Sequence, residues 1–186
     1  MLPGRNSKAP YYVGFLQPTN LLFMSPLRRI RLQLLIVMFG LFVAGVTAFP
    51  LLAELDWLSR LLVGPGGSLD PERYQGIVRW ILTVRAGLET TYAAYPWIAY
   101  GTDWLAFGHL MIMLFFVLPF QDPVRYEGVL WVGIWASLLV FPLAFICGPL
   151  RGIPWYWQLI DCSFGLICII PLWLAIRDTR KLGRGL

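Results

Sequence analysis

The sequence predicts an all-α integral membrane protein: four transmembrane helices in an antiparallel bundle, with an amphipathic helix in one long outer loop. Three observations carry this prediction. Of 186 residues, 58% are hydrophobic and only 13% are charged, against about 25% charged in a soluble domain. The apolar residues gather into four runs of roughly the 20 needed to cross a hydrocarbon core. The 15 basic residues, which give a net charge of +5, flank those runs rather than forming a groove for nucleic acid. An ordinary soluble domain, a disordered tail and a nucleic-acid partner are excluded on these grounds.

Residues 1–28 read as an irregular N-terminal segment, because prolines at positions 3, 10, 18 and 26 forbid a long helix. Arg28, Arg29 and Arg31 then open the first span, about 30–50. Val46-Thr47-Ala48 offers a plausible cleavage site. The apolar run is nevertheless longer than the 7–15 residues of a signal core, so the span is read as uncleaved.

The outer loop, 51–96, carries a short amphipathic stretch that ends at the turn Gly64-Pro65-Gly66-Gly67. Asp70 as N-cap and Pro71 at the first helical position then start a helix. Tyr74, Ile77, Val78, Ile81, Val84, Leu88 and Tyr92 give that helix one oily face. It carries too many arginines to span, so it lies on the bilayer surface or over the bundle.

The second, third and fourth spans cover about 97–119, 129–149 and 154–176, and a basic tail occupies 177–186. The short links predict that these three spans are antiparallel neighbours. The flanking basic residues place both termini in the cytoplasm, and the protein is expected in a bacterial inner membrane. Its expected partners are the lipid bilayer and either other membrane subunits or a second copy in a homodimer.

Polar groups inside lipid are the informative exceptions, at about 2.5–3.5 kcal/mol each on insertion scales. Asp103 lies six residues after Trp97, and Asp161 six after Trp155, so both sit roughly 9 Å below the outer interface. Matched depth permits one shared outer site. Arg151, Tyr100, Thr102, Trp155, Tyr156 and Gln158 lie at similar depth and are the candidate ligand-binding residues. A close acid pair has one raised pKa and can do acid/base work. The structural alternative is an Arg–Asp clamp that fixes helix packing. His109, the single histidine, lies deeper. It can ligate a haem or relay a proton, or simply hydrogen-bond to a neighbouring carbonyl.

Cys147, Cys162 and Cys168 have no CxxC spacing and read as buried free thiols, with no metal site. No HExxH, GxSxG, P-loop or GxGxxG motif occurs, and no cofactor is specified. The expected function is therefore a non-catalytic accessory or lipid-like-ligand-binding subunit with an outer polar cluster. The alternative is an intramembrane enzyme acting on a lipid or isoprenoid-like substrate through Asp103, Asp161 and His109. A proton or cation pathway through the same residues is a third reading.

Overall fold

In the computed structural model, residues 25–184 are described, and all regular structure among them is helical. The N-terminal segment up to residue 24, expected to be irregular, lies outside the described residues. Among the described residues, four helical stretches are long and apolar enough to cross a membrane: Pro26–Ala48, Pro96–Gln121, Glu127–Leu150 and Trp155–Arg184.

The first helix, α1 (Pro26–Ala48), starts four residues before the expected span. The Ser25 side chain caps it by accepting a hydrogen bond from the Arg28 amide at 3.4 Å, and Pro26 takes the first turn, where a missing N–H costs nothing. Reading Pro26 as a breaker hid this start. Pro50 separates α1 from α2 (Leu51–Val63), which stops at Gly64 with φ +77°. Only glycine adopts that left-handed backbone cheaply.

Asp70 caps as expected, accepting from the Glu72 amide at 3.1 Å, but the helix it starts is only a 3-10 turn, Pro71–Arg73. The chain then extends through Tyr74 and Gln75, and α3 (Gly76–Ala94) begins beyond them. The helix therefore starts five residues later than the cap signal implies. Its buried positions are Ile81 and Leu82, while Ile77 of the expected oily face is exposed.

The second long stretch is a 3-10 turn, then α4 (Ala99–Phe115) and α5 (Val117–Gln121). The break falls at Phe116, within reach of Pro119, which has no N–H to offer the Phe115 carbonyl. The third is α6 (Glu127–Pro142), a π-helical turn over Leu143–Cys147, and the short α7 (Gly148–Leu150). Pro142 and Pro149 each remove a ladder donor around that turn. The last helix, α8 (Trp155–Arg184), runs through the expected tail. No residue from 177 to 182 breaks a helix, so hydrophilicity alone did not end it.

Helix α1 packs on α4 along one side and on α8 along the other, and α6 packs on α8. The order across the bundle is thus α4, α1, α8, α6. This corrects the expectation that spans two and three are neighbours: α4 and α6 connect through α5 but share no helical seam. The core, including Ile30, Leu34, Phe116, Leu130, Leu172 and Ile176, sits where α1, α6 and α8 meet. Small residues set the seams. A Cβ on Gly45 of α1 would lie 3.0 Å from the Ala106 carbonyl oxygen of α4, and one on Gly165 of α8 would lie 2.7 Å from that of Ser137 of α6. Gly101 and Gly108, by contrast, face open space.

Helices α2 and α3 form a hairpin over one end of the bundle. The start of α3 meets α8, where the Tyr156 hydroxyl donates to the Gly76 carbonyl at 3.0 Å and Trp80 lies 6.5 Å from Trp157. Its far end meets α4, with Tyr92 Oη 3.4 Å from Thr102 Oγ1. Helix α3 thus touches α8 at one end and α4 at the other.

Candidate functional site

Four residues of α4, Tyr100, Asp103, Trp104 and Phe107, recur at the spacing that stacks side chains on one helix face. With Phe49, the residue that closes α1, they line an open groove of about 270 Å³. The rings brace one another edge to face, with Tyr100–Trp104 centroids 6.0 Å apart and Trp104–Phe107 centroids 5.7 Å apart. Asp103 is the one ionisable carboxyl among these walls. Among the described residues it has no side-chain hydrogen bond and no ion pair. An acid so placed on an apolar, aromatic surface is expensive in lipid and unexplained by packing.

Asp161 is half-buried on α8 and is not among the groove walls. Arg151 is exposed beyond α7. No ion pair among the described residues joins Arg151 to Asp103 or to Asp161, so the clamp has no counterpart there. The remaining candidates are spent locally. The Thr102 hydroxyl donates to the Ala99 carbonyl at 2.7 Å. The Gln158 amide is buried against Gly148 and donates to the Ile153 carbonyl at 2.8 Å. Trp155 is exposed and lies edge-on to Tyr156 at 5.9 Å. Of the eight outer-site candidates, only Tyr100 and Asp103 share a pocket.

His109 Nδ1 lies 2.8 Å from the Leu105 carbonyl oxygen, one turn back on its own helix. A carbonyl can only accept, so this contact puts the proton on Nδ1. Among the described residues no group of three or more His, Cys, Asp or Glu side chains could hold a metal. Cys162 is buried as expected, whereas Cys147 is exposed, which corrects its assignment as a core thiol.

Two polar groupings escaped the sequence reading. On α8, Asp178 is only 4% exposed, lies 3.4 Å from Arg29 and accepts from Gln33 Nε2 at 3.4 Å, both on α1. At the hairpin, Asp56 of α2 meets Arg60 at 2.8 Å and Arg85 of α3 at 2.7 Å. The two guanidiniums, Arg60 before Arg85, hold the Asp56 carboxyl below its ordinary range. An (i, i+4) acid–base pair was the visible signal for Asp56–Arg60, but nothing local announces the partner from α3. No protein-family model, curated protein or solved structure matches the chain.

Proposed function

We propose that the chain is a multi-pass membrane protein, of the bacterial inner-membrane type, that binds one lipid-like molecule in the Asp103 groove without catalysing a reaction on it. The observation that carries this reading is the Asp103 carboxyl among Phe49, Tyr100, Trp104 and Phe107, unpartnered among the described residues. Aromatic walls take an apolar tail or ring. A lone carboxyl takes a head that donates hydrogen bonds or carries a cation, such as an amine or hydroxyl. The acid pair expected of Asp103 and Asp161 finds no support in this pocket, because Asp161 is not among its walls.

Charge supports the membrane orientation. At the end formed by the start of α1, the α5–α6 link and the end of α8 lie Arg28, Arg29, Arg31, Arg125, Arg177, Arg180, Lys181 and Arg184, against Asp122, Glu127 and Asp178. Outside the spans, the opposite end holds five basic and five acidic residues. The positive-inside rule then places both termini in the cytoplasm and the α2–α3 hairpin outside. Antiparallel alternation is supported by contacts that pair starts with ends: Arg29 with Asp178, and Glu127 with Arg180.

Native mass spectrometry of protein gently extracted from its own membrane tests the reading. One small-molecule adduct of defined mass is expected on the wild type. Loss of a hydrogen bond to a charged group costs about 1.5–3 kcal/mol, so Asp103→Leu should empty the site and Asp161→Asn should leave it filled. An identical lipid spectrum on all three proteins would overturn it.

A further inference from the structure

A second recess lies at the opposite end of the bundle, where α6 begins and α8 finishes, with a volume of about 270 Å³. Its walls are Trp131 of α6 and Trp173, Arg177, Arg180, Lys181 and Arg184 of α8. We propose that this recess binds the phosphate of an anionic phospholipid. The inference rests on the membrane reading above but not on the Asp103 groove.

The recess is built rather than merely basic. Glu127 accepts from Trp131 Nε1 at 3.1 Å and from Arg180 Nε at 2.8 Å. One carboxylate therefore fixes both the ring and the guanidinium, which stacks over that ring at 5.3 Å. Arg180 keeps its two terminal NH2 groups for a ligand. Arg177 stacks over Trp173 at 5.8 Å in the same way, its Nε 3.8 Å from Asp178. Four cationic side chains thus face two carboxylates, Glu127 and Asp178, and Asp178 is shared with Arg29. Lys181 and Arg184 have no ion pair among the described residues. The surplus charge is positive, and planar guanidiniums suit phosphate oxygens.

The surroundings select a lipid over free phosphate. One turn further along each helix, away from the charged end, Trp135 and Ile170 are exposed at 63% and 62%. An acyl chain can lie on these while its phosphate enters the recess. The volume is just under the range of about 300–1,000 Å³ for drug-sized ligands, which suits a headgroup. Basic pockets beside transmembrane helices on the cytoplasmic side are a recurrent setting for anionic headgroups.

The test uses the whole chain in phosphatidylcholine nanodiscs doped with phosphatidylglycerol, with retained lipid counted by native mass spectrometry. Three proteins are compared: wild type, Lys181→Gln/Arg184→Gln, and Arg28→Gln/Arg125→Gln. The last removes two cations from the same end of the bundle but outside the recess, and helix content confirms that each variant is folded. The wild type should retain one phosphatidylglycerol. At about fivefold per cation, the recess variant should retain it roughly 25-fold more weakly, with the control close to wild type. Equal losses in both variants would reduce the effect to diffuse surface attraction and overturn the proposal. Displacement of the lipid by excess inorganic phosphate would overturn the choice of ligand. Asp103→Leu should leave retention unchanged, so this test and that of the outer groove fail separately.

Discussion

Arg85 of α3 lies 2.7 Å from Asp56 of α2, with only 12% of its side chain exposed. A guanidinium this enclosed has few other partners: Asp56, and Glu89 at 3.0 Å. The pair therefore sets how the α2–α3 hairpin closes. Asp56→Asn should speed amide hydrogen exchange along α3 at neutral pH. The sign with pH follows from the lowered carboxyl. The contribution of Asp56 is present above its ordinary value of 3.8 and is lost as pH falls through the lower folded value. Wild type and Asp56→Asn should then exchange alike in acid; a difference that persists there would contradict the pairing.

The seam between α6 and α8 makes a second prediction. A methyl on Gly165 would lie 2.7 Å from the Ser137 carbonyl oxygen, a backbone atom that cannot rotate away, whereas Gly40 faces open space. Gly165→Ala should destabilise the protein by about 1–3 kcal/mol in detergent, and Gly40→Ala should not. Equal melting temperatures would place the seam elsewhere.

Asp178 gives the third. It is buried and leans on Arg29, which is half exposed. Removing Arg29 leaves the buried carboxylate with Gln33 and with Arg177 at 3.8 Å, a weaker set of partners, and solvent around Arg29 screens part of the loss. Arg29→Met should cost about 1–2 kcal/mol, more than Arg28→Met, which has no ion-pair partner among the described residues. Chemical denaturation of the two variants checks the order.

Orientation is tested by labelling. After Cys147, Cys162 and Cys168 are replaced by alanine, a cysteine at Ser68 should react with a membrane-impermeant maleimide on intact cells. One at Arg125 should react only after lysis. The reverse pattern would invert the topology.

The four apolar runs were legible because each is about as long as a membrane-crossing helix, and each is helical. Their ends were less so. Pro26 and Pro71 carry the same signal, yet Pro26 begins a 23-residue helix and Pro71 only a three-residue turn. The downstream residues make the difference: an apolar run after Pro26, and extended Tyr74 and Gln75 after Pro71. Helix order was not legible, since a short link between α4 and α6 does not prevent α1 from taking the place beside α4. At the site, depth along the helix placed Asp103 and Asp161 at matched levels. Rotation then decided which walls each meets, and periodicity alone does not fix rotation between helices. Gly45 and Gly165 were equally hidden, because a small residue marks a contact only when its partner is known.

Photocrosslinking within native membranes reads directly whether the Asp103 groove holds one lipid-like molecule. A photoreactive phenylalanine analogue would replace Phe107 in the groove and, as a control, Leu139, which is 64% exposed on α6. A single captured species is expected at position 107, absent in the Asp103→Leu background, and a mixture of bulk lipids at position 139. The same mixture at both positions would contradict it.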